Sequence, residues 1–420
     1  MLSIGTLMAL ISLCLFTFAL TAALSLFAAC CAGERGSFPA SSDERRERYT
    51  AWGWLLLFGV VVTILQYVII YMIVHPPMDF FQSFRWLYYR SDVAHYMGIA
   101  KDWYVQEGDE RLRLVFLPLY PMTIRAVTWT GNFFDGALFA AQIFSLSLLP
   151  AAYELFRLDM DRPAAMACAR VLFLLPGAAF LRIPMSESLF LFLTLLAVYF
   201  SRKKQFFLAA LFIALSALTR SLGILLLGLL FIEMLISFMD AYRDDKHAAL
   251  RLIPRYLGFL LVGCGGTLIY LLINWKVTGS PFTFLTYQWE NWNQQLSFFF
   301  NTAAYQSEYA LMYLKSRDFT SLFSLSLPNL ICCFGALLLL CLNRKQLRVS
   351  YLLWALLYYV ASIGATWLLS GPRYLAMVFP LAMALRQPIR SRAAGYTLEG
   401  LLLMVQTVYL LMLAMDMYVY

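Results

Sequence analysis

Charged side chains are scarce in this sequence. Asp, Glu, Lys and Arg make up 13% of its 420 residues, whereas soluble proteins carry about 25%. With 62% apolar residues and a mean hydropathy of +0.71, too little polar surface is left to cover a water-soluble body. Histidine is rarer still. His75, His95 and His247 are the only three, and their separation argues against a histidine-built metal site. Eight cysteines, mostly inside apolar runs, show no Cys-x-x-Cys spacing, so neither a disulfide framework nor a zinc site is indicated. The chain has no Gly-x-Gly-x-x-Gly fingerprint, no convincing internal repeat and no low-complexity tail.

What it has instead is a series of long apolar blocks. A spanning helix needs about 20 apolar residues, with shorter half-spans tolerated inside a bundle. On that basis the sequence predicts an all-α polytopic membrane protein with spans at 4–30, 51–74, 134–155, 163–183, 186–200, 206–220, 221–239, 257–275, 326–342, 350–369, 374–387 and 397–415. The stretches 163–200 and 206–239 each contain a polar break, which is either a turn or the buried kink of one bent helix. The first block is long for a signal peptide and has no basic flank ahead of it, so it is read as an extra span.

The formal charge of +8 would raise the question of nucleic acid in a soluble chain. Here the cations lie in short clusters between apolar blocks, and no nucleic-acid partner is expected. The segments 33–50, 156–170, 201–205, 240–256, 343–349 and 386–393 hold twenty of the 32 Lys and Arg, which marks them as the inside. The long loops 75–133 and 276–325 then fall outside. Both are rich in aromatics, including Trp86, Tyr88, Tyr89 and the run Tyr287-Gln288-Trp289-Glu290-Asn291-Trp292, which suits amphipathic helices at the headgroup level.

Ionisable residues at membrane depth are costly and ask for a partner or a task. Four places stand out on the predicted outer side. Asp92, His95 and Tyr96 share one face if their segment is helical, and such a carboxylate could take a proton from an acceptor hydroxyl; a wet face of an interfacial helix is the plainer alternative. In Arg182-Ile183-Pro184-Met185-Ser186-Glu187-Ser188, Ser186 suits a helix cap, Glu187 the first turn, and Arg182 a neutralising partner. Arg220, beside Ser221 and Gly223, either pairs with a carboxylate such as Glu187 or meets a phosphate, with Gly223 permitting close approach. Arg373, in Gly371-Pro372-Arg373-Tyr374, is a second phosphate candidate or a snorkelling arginine. Periodicity and charge alone leave a lipid-linked-substrate enzyme, a transporter or flippase, and a scramblase equally open.

In chain order these pieces resemble the PIG-V family of integral-membrane mannosyltransferases, known in eukaryotes as GPI mannosyltransferase 2 and with bacterial relatives. The resemblance runs from about residue 60 to 390. It rests on Asp92-Val93-Ala94-His95-Tyr96, Leu117-Pro118-Leu119-Tyr120-Pro121, Ser186-Glu187-Ser188-Leu189-Phe190, Arg220-Ser221-Leu222-Gly223-Ile224-Leu225, Gly279-Ser280-Pro281 with Phe284, Gln288 and Trp292, and Arg373-Tyr374. Ser91 stands where the family has an aromatic residue.

The resemblance implies a GT-C-type helix bundle, divided into an extra span and linker at 1–50 and a catalytic domain at 51–420. It implies an inverting transfer of a sugar, mannose first, from a polyprenyl-phosphate donor to a glycolipid, glycan or protein hydroxyl. Asp92 would be the base with His95 beside it, and Tyr96, Glu187, Arg220, Gln288, Trp292, Arg373 and Tyr374 would bind substrate. No cofactor is required, and a divalent metal ion beside Asp92 and Glu187 is left open. The location implied is the plasma (inner) membrane of a bacterium or the endoplasmic reticulum membrane of a eukaryote. The alternative is a transporter or flippase, suggested by the broken runs at Pro184 and Gly223.

Overall fold

A computed structural model describes residues 3–34, 45–90, 92–129, 131–366, 368, 370–417 and 419. Ser91 and linker residues 35–44 lie outside the described residues. Among the described residues regular structure is helical throughout, apart from one antiparallel bridge between Leu296 and Ala365.

Seven helices are long and apolar enough to cross a bilayer: Ile4–Ala32, Arg45–Val74, Phe133–Phe156, Ser221–Asp244, Lys246–Thr278, Phe319–Leu342 and Arg392–Ala414. An eighth crossing is made if Arg162–Leu174 and Pro176–Arg182, bent by 79°, count as one span. The protein is therefore a multi-pass integral membrane helix bundle, with fewer full spans than the twelve expected. The difference lies in short helices. Phe206–Thr219 has 14 residues, Val349–Ile363 has 15 and Glu187–Arg202 has 16. At about 1.5 Å per residue these fall short of a hydrocarbon core of about 30 Å. The expected span 374–387 is broken into Gly371–Leu375 and Phe379–Arg386. Glu187–Arg202 and Phe379–Arg386 are mostly buried by other helices, and a run buried in protein reads in sequence like a run buried in lipid, whereas Phe206–Thr219 keeps Phe207, Leu208, Leu211 and Leu215 exposed on one side.

Side-chain contacts tie the expected inner loops to one another. Arg48 forms a two-pronged pair with Glu154, Arg162 lies 3.7 Å from Glu47, Arg202 pairs with Asp159 at 2.6 Å, and the Arg243 guanidinium donates to the Cys31 carbonyl. The two long loops meet at the other end. There the Phe116 ring packs edge-on to Trp292, and the Tyr270 hydroxyl, on the spanning helix that leads into the second loop, donates to the Leu114 carbonyl at 2.8 Å. Short helices occupy these loops, among them Phe80–Tyr88, Val93–Asp102, Leu119–Val127 and Thr283–Trp292. The N-terminal helix packs against Phe299–Ser316 and Val349–Ile363, with Phe16 on Phe299.

Candidate functional site

Four breaks in helical structure bring together the polar groups of the end expected to face outward. Asp92 stands at the N-cap of Val93–Asp102 but makes no capping bond with its side chain. Its Oδ2 instead accepts from Nη2 of Arg373 at 2.9 Å. Arg373 sits in the five-residue helix Gly371–Leu375, and its Nε donates to Oε1 of Glu187 at 2.5 Å. Arg220, in extended conformation where Phe206–Thr219 ends, donates from Nη1 to the same Glu187 oxygen. Glu187 is fully buried at the start of Glu187–Arg202, where the helix N-terminus favours its negative charge. Two carboxylates and two guanidinium groups thus form one chain of ion pairs: Asp92, Arg373, Glu187, Arg220.

A cavity of about 380 Å³ opens against this chain. Asp92, Tyr96, Arg220, Gln288, Trp292, Arg373 and Tyr374 all line it. Such a volume lies within the range of roughly 300–1,000 Å³ usual for small-molecule sites. Glu187 is not on its surface; it lies behind the arginines and holds both. Arg220 stands over the Tyr374 ring at 5.7 Å and Arg373 over the Phe180 ring at 5.2 Å, so each guanidinium is also fixed by an aromatic face. A second space of about 640 Å³ shares Arg220, Ser221, Gln288, Gln294 and Tyr374 with the first, and its remaining wall is largely apolar, including Leu222, Ile224, Leu225, Phe284 and Leu285. A polar chamber therefore continues into an apolar groove.

His95 is placed differently. Its ring lies flat on Phe116 at 4.8 Å and edge-on to Trp292 at 6.4 Å, within the aromatic wall rather than on the cavity surface. Burial pulls the His95 pKa below its ordinary value, partly opposed by the nearby Asp92 carboxylate. Tyr96 donates to or accepts from Ser186 Oγ at 2.8 Å, and burial raises its phenol pKa, so it stays a neutral hydroxyl.

Three expectations change. Ser186 makes no capping bond with its side chain; its hydroxyl joins Tyr96 and accepts from Arg220 at 3.3 Å. Arg182 is not the partner of Glu187. Fully buried, it donates to the side-chain oxygens of Gln66 and Gln406, bridging the second and the last long helices. At Gly223 the close approach is by the chain itself, because a Cβ there would strike the backbone of Ser216 and Ala217.

Thr219 and Ser221, which flank Arg220 in the string read from the sequence, also line the cavity, and so do Gln294 and Ser370, which were not singled out. Gln294 and Ser370 carry no local signal. Among the described residues no three His, Cys, Asp or Glu side chains come together as a metal donor set. No family model matches the chain, and comparisons with curated proteins and with solved structures likewise give no match.

Proposed function

We propose that this protein is an inverting glycosyltransferase that moves a sugar, mannose first, from a polyprenyl phosphate to an acceptor hydroxyl at the outer face of the membrane. The observation that carries the reading is the convergence of one carboxylate, Asp92, and two guanidinium groups, Arg220 and Arg373, on a single cavity that runs into an apolar groove. A lipid-linked phosphosugar has those three parts: a polar sugar, an anionic phosphate and a hydrocarbon tail. The phosphate meets Arg220 and Arg373, the sugar faces Gln288, Trp292 and Tyr374, and the tail lies along Leu222, Ile224 and Leu225.

In the reaction the acceptor oxygen bonds to C1 of the sugar from the side opposite the phosphate. Its proton passes to Asp92, and the bond from C1 to the phosphate oxygen breaks with its electron pair leaving on polyprenyl phosphate. The leaving group needs charge stabilisation rather than a proton, and fixed guanidinium groups provide it without reorganising. In the resting site Arg373 already holds Asp92. An arriving phosphate competes for that guanidinium, which frees the Asp92 oxygen for the acceptor. Donor binding thereby arms the base.

The transport alternative needs a path through the bundle. What favours the enzyme is that the polar side chains of the cavity crowd the outer end, while ion pairs knit the inner loops together.

The test is direct transfer from polyprenyl-phosphate mannose to glycolipid, glycan or protein acceptors by the purified protein. General bases contribute about 10²–10⁴-fold, and Asp92→Asn should lose that much turnover while keeping its fold and its donor binding. Turnover at the wild-type rate in Asp92→Asn would remove Asp92 as the base. Absence of transfer from every lipid-phosphate sugar tried would end the donor assignment.

A further inference from the structure

We infer that Asn329 is a positioning residue that sets the register of Arg373, through a buried polar cradle outside the cavity. The inference rests on the reading of Arg373 as a phosphate ligand.

Between the helix Val349–Ile363 and the short helix Gly371–Leu375, Ala365 pairs with Leu296 in the one bridge, and Leu368 and Ser370 are buried outside any helix. Gly364 and Thr366 have backbone partners in Val360, Ser297 and Gln295, but the backbone groups of Leu368 lie beyond them, and leaving such groups bare in an apolar interior is costly. Side chains from two neighbouring helices supply the partners. The Thr302 hydroxyl donates to the Ala365 carbonyl at 3.1 Å. The Leu368 amide donates to the Tyr305 hydroxyl at 2.6 Å, and the Leu368 carbonyl accepts from Gln306 at 2.7 Å and from Asn329 at 3.1 Å. The Asn329 Oδ1 then accepts from the Gly371 amide at 2.9 Å.

That last bond differs from the others. Gly371 opens the five-residue helix that carries Arg373, so the bond fixes its first turn two residues before the guanidinium. Asn329 is fully buried, in a short α-helical stretch between two π-helical segments, Leu322–Ser326 and Ile331–Gly335. π-turns in a helix frequently mark functional positions, and here they flank the residue that reaches out. The glycine belongs to the same device, because a Cβ at 371 would lie 2.6 Å from the Asn329 oxygen. Arg373 makes one bond on each side, to Glu187 and to Asp92, so a displaced helix would lose both.

The experiment measures binding of undecaprenyl phosphate to the full chain in nanodiscs, together with hydrogen exchange of residues 371–375. Asn329→Ala should bind the lipid about tenfold to a hundredfold more weakly, the scale of loss when a reacting group is misplaced by about 1 Å. The double variant Asn329→Ala/Arg373→Ala should bind no more weakly than Arg373→Ala alone, because both changes remove the same contact. Gln306→Leu also takes a bond from the irregular segment but leaves Gly371 held; it should lower the melting temperature while keeping lipid binding. If Asn329→Ala does not fold, Gly371→Ala breaks the same contact from the other side. The inference is overturned if Asn329→Ala binds like the wild type where Arg373→Ala does not, or if the two losses simply add. Should the wild type bind no lipid phosphate, the donor reading falls by itself. Exchange then decides the positioning: faster exchange at 371–375 in Asn329→Ala but not in Gln306→Leu upholds it, and unchanged exchange overturns it.

Discussion

Among single residues, the ones that matter at the cavity are those whose partners lie far away in sequence. Glu187 sits five residues from Arg182, yet it pairs with Arg220 and with Arg373, which is 186 positions distant. Asp92, Glu187, Arg220 and Arg373 were legible because an ionisable group beside an apolar run is conspicuous. The pairing of Arg220 with Glu187 was named as one of two options and is present, whereas the pairing of Arg373 with both Asp92 and Glu187 was not legible, since that is fixed by long-range packing. His95 shows the same limit: helical spacing puts it near Asp92, but stacking on Phe116 takes it into the wall. Its environment gives a testable pH dependence. Burial lowers the folded-state pKa below the ordinary value of 6.5, so below that pH the unfolded chain binds more protons than the folded one. Stability from the neutral ring is complete above about 6.5 and is lost as pH falls towards the folded pKa. Wild-type protein should melt at a lower temperature at pH 5.5 than at pH 7.5, and His95→Gln should show a smaller difference. Equal pH dependence in the two proteins would mean that the His95 ring is as solvated folded as unfolded.

Elements tell a second story, about short helices. Hydropathy finds the long lipid-facing ones, such as Arg45–Val74 and Arg392–Ala414, within a few residues. It also marks Glu187–Arg202, which it counts as a span because it cannot tell burial in protein from burial in lipid, and Phe206–Thr219, whose apolar run continues across the break at Arg220 although the helix itself has only 14 residues. The 79° bend between Arg162–Leu174 and Pro176–Arg182 has a local cause: Leu175 precedes a proline, and such a residue is steered away from helical dihedrals. The bend puts Gly177 against Pro372 and Phe180 under the Arg373 guanidinium. A Cβ at 177 would overlap the Pro372 carbonyl, which is backbone and cannot swing aside. Gly177→Ala should therefore destabilise the protein by about 1–3 kcal/mol, the usual cost of overpacking. Because the strain falls on the helix that carries Arg373, it should also raise the KM for the donor. A variant with wild-type melting temperature and KM would show that the two turns are not rigidly packed.

At the scale of the whole molecule the two ends are built on different principles. At the end expected to face outward the ion pairs of Asp92, Arg373 and Arg220 line a cavity, where a ligand can compete for them. At the end expected to face inward ion pairs lock helices to one another. Arg348 grips Glu233 with two bonds at 2.6 and 2.8 Å, Ser350 adds a third at 2.5 Å, and Arg202 lies between Asp159 and Tyr351. The Glu233 side chain is 5% exposed and that of Asp159 is 1% exposed. Removing one partner of a buried pair strands the other and costs about 3–5 kcal/mol. An enzyme open only to the outer side never has to break these pairs, whereas a transporter must part them in every cycle. Glu233→Gln should therefore lower the melting temperature strongly and leave KM and kcat for sugar transfer at their wild-type values in protein that remains folded. The swapped pair Glu233→Arg/Arg348→Glu should recover part of the lost stability. In a transporter, weakening an inner lock would instead favour the inward-open state and change the rate of substrate movement. Changed flux of a lipid-linked sugar across proteoliposomes containing Glu233→Gln, with no transfer to any acceptor, would turn the assignment from enzyme to transporter.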